Sequence, residues 1–135
     1  MKRNNIAFIG AGFQATTNIF PAAIEAAINI TSLATRNSDS AQAALTRLGS
    51  NGKAYGDYKL MLQQEAVDSV VIVAQPKDQY EIALGCLELG KNVFVEKPLG
   101  WNAAQAALIN EAAIANNAKV MVGFMKRFAP SYLKV

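Results

Sequence analysis

Asn5-Ile6-Ala7-Phe8-Ile9-Gly10-Ala11-Gly12-Phe13-Gln14-Ala15 is the stretch whose reading decides the fold. Ile6 to Ile9 is a short apolar run and reads as a buried strand. Gly10, Gly12 and Ala15 follow in the pattern G-x-G-x-x-A, at the mouth of a helix that begins with Phe13 and Gln14. In a dinucleotide-binding βαβ unit the first glycine permits a tight turn, and the second lets backbone approach the pyrophosphate. The third small residue lets helix and strand pack closely. The free N–H groups and the positive end of the helix dipole then hold the phosphates. Two glycines between a strand and a helix also serve plain βα turns, so the weight comes from context. Here the motif follows a strand near residue 10 and has a repeating strand–helix pattern behind it.

The whole chain of 135 residues, read outward from this stretch, has room for one domain. Apolar side chains make up 52% and charged ones 17%, which supplies a core and argues against disorder. A net charge of +3 with scattered basic residues forms no nucleic-acid stripe. The lone Cys86 has no partner for an internal disulfide, lies between Leu84 and Leu87 as core, and fits a reducing cytoplasm. Histidine is absent, which excludes a histidine triad or a histidine metal site, and no metal site is expected. No apolar run approaches the length of a membrane span.

Ile30–Ala34, Lys53–Tyr55, Ser69–Val73, Asn92–Val95 and Lys119–Val122 read as five further strands. Val70 to Val73 is a continuous β-branched run, as expected of a central parallel strand covered on both faces. Between the strands run helical patterns. The first, Phe13 to Ala27, should kink or restart at Pro21, which lacks an N–H. Others are capped by Asn37 or Ser38, Asp57 and Asn102, or opened by Pro76 and Asp78, with Gly49 and Gly90 as stops. On the helix after Pro76, Tyr80, Ala83, Leu84 and Leu87 form the apolar face. The alternation predicts an α/β, Rossmann-like, doubly wound parallel sheet in three α/β/α layers, strand order 3-2-1-4-5-6. Ala129 to Val135 opens a helix, with Pro130 in its first turn, that stops within two turns.

Two strand ends carry chemistry. Thr35 falls about twenty residues beyond the glycines, where an NAD-binding fold places an acid on the ribose hydroxyls. There is no acid here. Thr35 can hydrogen-bond a 2′-phosphate and Arg36 can pair with it, at about 1.5–3 kcal/mol per charge-assisted hydrogen bond. NADP is therefore favoured over NAD; a plain surface arginine is the other reading. Glu96-Lys97-Pro98 stands at the carboxyl end of the fifth strand, where ligands bind in open α/β sheets. A lysine there can polarise a substrate oxygen or move a proton; a surface turn with a Glu–Lys pair is the alternative.

Taken together, Gly10-x-Gly12-x-x-Ala15, Ala74-Gln75-Pro76, Ala83-Leu84 through Gly90-Lys91-Asn92-Val93, Glu96-Lys97-Pro98-Leu99 and Val122-Gly123-Phe124-Met125-Lys126-Arg127-Phe128-Ala129-Pro130 resemble the amino-terminal domain of the Gfo/Idh/MocA oxidoreductases. That family includes glucose–fructose oxidoreductase and inositol 2-dehydrogenase. The resemblance covers essentially the whole chain. It implies a nicotinamide-dinucleotide enzyme moving hydride at a sugar or polyol CH–OH carbon. On it, Lys97 is the catalytic lysine, touching substrate hydroxyl and nicotinamide ribose. Glu96 and Pro98 position it and line the cofactor cleft, Gln75 and Pro76 lie against the cofactor, and Arg127 sits near the substrate. The family often has Thr-Pro in place of Gln75-Pro76, and Asn-Arg-Arg-Phe in place of Met125-Lys126-Arg127-Phe128.

The family's second domain, with its Asp-x-x-x-His motif, is missing. Residues 1–128 then read as the NAD(P)-binding domain and 129–135 as the start of a truncated helix leading to an absent substrate domain. The isolated chain should bind cofactor, turn over little, and lean on a neighbour or a second copy of itself. A non-catalytic dinucleotide-binding sensor or accessory module is the main alternative. A methyltransferase using S-adenosylmethionine is disfavoured by Arg36 and by Glu-Lys-Pro, and a P-loop NTPase is excluded because no G-K-[ST] follows the glycines.

Overall fold

A computed structural model describes residues 5–134. In chain order it has β1 (Ile6–Ile9), a helix that turns through a π segment (Ala15–Ile19) into α1 (Phe20–Glu25), then β2 (Ile30–Ala34), α2 (Ser38–Arg47), β3 (Lys53–Tyr55) and α3 (Tyr58–Gln64). The second half follows as β4 (Ser69–Ile72), α4 (Pro76–Glu88), β5 (Asn92–Val95), α5 (Ala103–Ala115) and β6 (Val120–Val122). A 3₁₀ turn (Met125–Phe128) and α6 (Pro130–Leu133) end the described chain. All six strands are parallel, in the order β3-β2-β1-β4-β5-β6.

Side chains alternate across a strand, and β1 uses both faces. Ala7 and Ile9 join Val70, Ile72, Val93 and Val95 beneath α3, α4 and α5. Phe8 points the other way, with Leu33, into the layer formed by α1 and α2. Its ring meets Phe20 edge-on, centroids 5.2 Å apart. The sheet is thus wound on both sides, with its switch of direction between β1 and β4.

Local chemistry explains where the helices begin and end. Asn37, Asp57 and Asn102 each cap a helix by accepting a backbone N–H, from Asp39, Lys59 and Gln105. After α2, Gly49 at φ +62° donates to Thr46 and Ser50 donates to Leu45, a paired closure that needs a left-handed residue. Pro21 neither breaks nor restarts the first helix by a visible gap. Its ring would meet the carbonyl of Thr17, and the helix widens just before it: the Phe20 N–H reaches back five residues to Ala15.

Small differences from the sequence reading have clear causes. β4 ends at Ile72 rather than Val73, although the Val73 N–H still donates to Ile9 at 2.8 Å. β6 starts at Val120, because the Lys119 N–H is taken by the Asn92 side chain at 3.0 Å. On α4 the buried stripe is Gln79, Ile82, Ala83, Cys86 and Leu87, with Tyr80 and Leu84 half-buried at its flank. Burial pushes the Cys86 thiol up to about 12, which leaves it an inert core group. At the β3 edge Tyr55 donates to Glu65, and that hydrogen bond raises the phenol to about 12 and lowers the carboxylate. Among the described residues no helix is long and apolar enough to cross a membrane.

Helix α1 closes with the same paired geometry as α2, but on an alanine. Ala27 stands at φ +52°, donating to Ile24 while Ile28 donates to Ala23. A side chain in the left-handed region costs about 1–2 kcal/mol, part of which glycine returns as unfolded-chain entropy. Ala27→Gly should raise stability by about 0.5–1 kcal/mol, read as a higher denaturation midpoint with an unchanged slope.

Candidate functional site

The carboxyl ends of β1, β2 and β4 open into a cleft of about 1000 Å³. Its floor is made by Gly10. The residue lies at φ +100°, donates to the Ala34 carbonyl at 2.9 Å, and has the Val73 carbonyl where a side chain would go: a Cβ would stand 2.0 Å from that oxygen. Gly12 is the opposite case, because a Cβ there would meet nothing within 4 Å and would project into open space. Phe13 and Gln14 line the cleft at the start of the helix, whose first N–H groups have no partner within the helix. Ala15 is fully buried and packs behind the cleft with Phe20, Ala23 and Leu33.

Thr35, Arg36 and Gln75 line the same cleft. The Thr35 hydroxyl is used locally, donating to the Asn37 carbonyl and accepting from the Asn37 N–H. It shapes the turn into α2. Arg36 reaches across to α4, where its Nη2 lies 2.8 Å from Oδ2 of Asp78. Pro76 occupies the first turn of α4 and lines neither this cleft nor the next.

A second cleft of about 490 Å³ lies at the ends of β5 and β6. Lys97 and Pro98 line it with Trp101, Asn102 and Phe124, and the Lys97–Pro98 peptide is cis. The Lys97 side chain is exposed. Glu96 is buried at 6% exposure and lines neither cleft. Its Oε1 accepts from Gln14 Nε2 at 3.3 Å, and its Oε2 from the Lys97 N–H at 3.1 Å. The absence of a side chain at Gly123 leaves room for it: a Cβ there would lie 3.1 Å from Oε1. Arg127 stands apart from both clefts in the 3₁₀ turn, its guanidinium 5.6 Å from the centre of the Phe124 ring.

Two residues were not singled out by sequence reasoning. Gln79 is fully buried, and its Nε2 donates to the carbonyls of Glu96 at 2.9 Å and Pro98 at 3.0 Å, so one side chain grips the loop on both sides of Lys97. The signal was present: Gln79, Ile82, Ala83 and Cys86 fall on one helical stripe, and a polar group in such a stripe must find partners. Asp78 was read only as part of a helix opening. Nothing in the spacing ties it to Arg36, forty-two positions earlier.

A parallel sheet with a glycine turn at its switch point, and open space over the second glycine, defines a dinucleotide-binding Rossmann domain. The family described as "Oxidoreductase family, NAD-binding Rossmann fold" matches residues 4–124, and the chain belongs to that family, the Gfo/Idh/MocA oxidoreductases. It is 34% identical to the inositol 2-dehydrogenase of Salmonella typhimurium over 96 residues, covering 70% of this chain and 29% of the relative. A Gfo/Idh/MocA family oxidoreductase from Vibrio cholerae superposes with a TM-score of 0.86 at 31% identity, over 97% of this chain and 42% of that one. A 3-ketoreductase from Actinomadura kijaniata, solved with NADP and TDP-benzene, gives 0.91 at 26% identity, over 98% and 41%. The chain therefore spans well under half the length of these relatives.

The two glycines should separate stability from binding. Gly10→Ala puts a methyl into the Val73 carbonyl at a left-handed φ, and should cost about 3 kcal/mol or more. Gly12→Ala should leave the denaturation midpoint within about 0.5 kcal/mol of wild type but weaken nicotinamide-dinucleotide binding measured by calorimetry, because its methyl enters the cleft.

Proposed function

We propose that this chain is the NAD(P)-binding domain of a dehydrogenase that transfers hydride between NAD(P) and a sugar or polyol. Residues 1–128 form that unit, and a second domain supplies most of the substrate wall. One observation carries the reading. Gln14, on the helix of the glycine cleft, is hydrogen-bonded to Glu96, the residue before Lys97. The phosphate-binding turn and the lysine loop are thereby joined. The relatives named an inositol 2-dehydrogenase and a 3-ketoreductase support the substrate class.

Gly10, Gly12, Phe13 and Gln14 would hold the pyrophosphate, with Ala15 letting the helix close on the sheet. Gln75 and Pro76 would lie along the dinucleotide, and Glu96 and Pro98 beside its nicotinamide end. The nicotinamide, when bound, supplies the hydride acceptor or donor. Lys97 would do the proton work: as the neutral amine it takes the proton of the substrate hydroxyl when hydride leaves the carbon, and as the ammonium it returns that proton to the oxygen when a carbonyl is reduced. A positioned acid–base group is worth about 10²–10⁴-fold. Orientation of the substrate adds up to about 7–11 kcal/mol, which the walls of the second domain would supply. Arg127 would stand toward the substrate side. The exposed Phe124, Met125 and Phe128 support cover by a second domain or a second copy. A reducing cytoplasm suits the single buried thiol.

Arg36 would pair with a 2′-phosphate, with Thr35 shaping its loop, so NADP should bind more tightly than NAD. Calorimetric titration with both cofactors checks this; Arg36→Ala should cut NADP affinity by about ten- to a hundredfold and leave NAD nearly unchanged. Turnover is measured as NADP reduction with a panel of sugars and polyols. The chain alone should give almost none. Joined to a second domain of the family, it should be active, and should lose about 10²–10⁴-fold on Lys97→Met. No turnover from that two-domain protein would leave a binding module in place of an enzyme.

A further inference from the structure

We propose that Asp78 sets the cofactor preference of this domain by competing with the 2′-phosphate for Arg36. The inference rests on the reading of Arg36 as the phosphate's partner and adds a residue that works against it. Arg36 leaves the end of β2 and Asp78 sits in the first turn of α4, and both line the glycine cleft. They touch through one nitrogen and one oxygen, at 2.8 Å, with no second contact of the bidentate kind. The arginine side chain is 78% exposed and the aspartate 37%. Such a pair is weak and exchanges readily for a better anion.

The rest of the cleft wall decides what that exchange costs. Asp57 and Glu81 also line it, so among the described residues the cleft lining holds one cation, Arg36, and three carboxylates. Asp57 is held in place by capping α3. The Thr35 hydroxyl is already engaged with Asn37. A phosphate carrying about two negative charges must therefore take Arg36 from Asp78 and then stand close to the released carboxylate. NAD brings no charge to that corner and meets neither cost. Asp78 is thus a specificity residue that penalises NADP selectively, and the preference for NADP is smaller than Arg36 alone would make it.

The test is calorimetric titration of NAD and NADP, at low and at raised ionic strength, into wild type, Asp78→Asn, Asp78→Ser, Asp78→Glu and Arg36→Ala. Both neutral variants should bind NADP about three- to tenfold more tightly, with NAD within about twofold of wild type. Asp78→Glu should keep the wild-type ratio. The gain should shrink at raised ionic strength, since exposed charges are screened. Weaker NADP binding in the neutral variants would mean that Asp78 holds Arg36 ready for the phosphate, and would overturn the proposal. An equal change for both cofactors would assign Asp78 a purely structural part in the first turn of α4, and would overturn it too. The parent reading is judged separately. If Arg36→Ala leaves the NADP/NAD ratio unchanged, the arginine is not the phosphate's partner; if it changes the ratio and the Asp78 variants do not, only the role of Asp78 fails.

Discussion

The structure depends on how closely β1 and β4 approach at the end of β1. Gly10 is gripped there from both sides: its N–H is fixed to β2 through Ala34, and the Val73 carbonyl following β4 fills the space of a side chain. Only a residue without a Cβ, able to take a positive φ, lets the chain leave the sheet at this point. The sheet's reversal, the direction of the first helix and the cleft above it all follow from that exit. Gly12 carries none of this load, and its lack of a side chain leaves the cleft open.

Behind the clefts lies a buried polar link uncommon in so apolar a domain. Glu96 is a carboxylate removed from water, accepting an amide N–H from Gln14 and the backbone N–H of Lys97. Gln79 spends its amide nitrogen on the carbonyls of Glu96 and Pro98. Buried polar groups cost about 1–3 kcal/mol when unpaired, and the Gln79 Oε1 has no partner among the described residues. Apolar packing alone would hold β5 against α4. What these polar groups add is direction, because they set the path of the backbone on either side of Lys97.

Much of this was legible in the chain. β1, the β-branched run of β4 and the strand into Glu96 announce themselves by composition, and strand order follows from the alternation with helices. Caps at Asn37, Asp57 and Asn102 were readable because capping is a local event. The π turn before Pro21 was not, since sequence shows that a proline must be accommodated but not which of several ways the helix takes. On α4 the apolar face read from the sequence holds, with Ala83 and Leu87 at the buried centre and Tyr80 and Leu84 packed at its flank. Gln79 lies outside that reading, because a polar residue is buried there only by the loop the helix meets. In the glycine cleft the residues near one another in sequence were found. Arg36 with Asp78, and Gln79 with Pro98, are pairings across elements, and one sequence records no distance between them.

Asp78 and Gln79 are consecutive, yet they serve different clefts. Successive residues on a helix project about 100° apart, so the first turn of α4 extends one side chain toward β2 and the next toward the loop after β5. The turn is a common abutment: Arg36 leans on one side of it, the backbone around Lys97 on the other. Neither end can be re-aimed by moving that turn without disturbing its opposite number. Exchanging either side chain on a stationary backbone therefore leaves the other pairing in place.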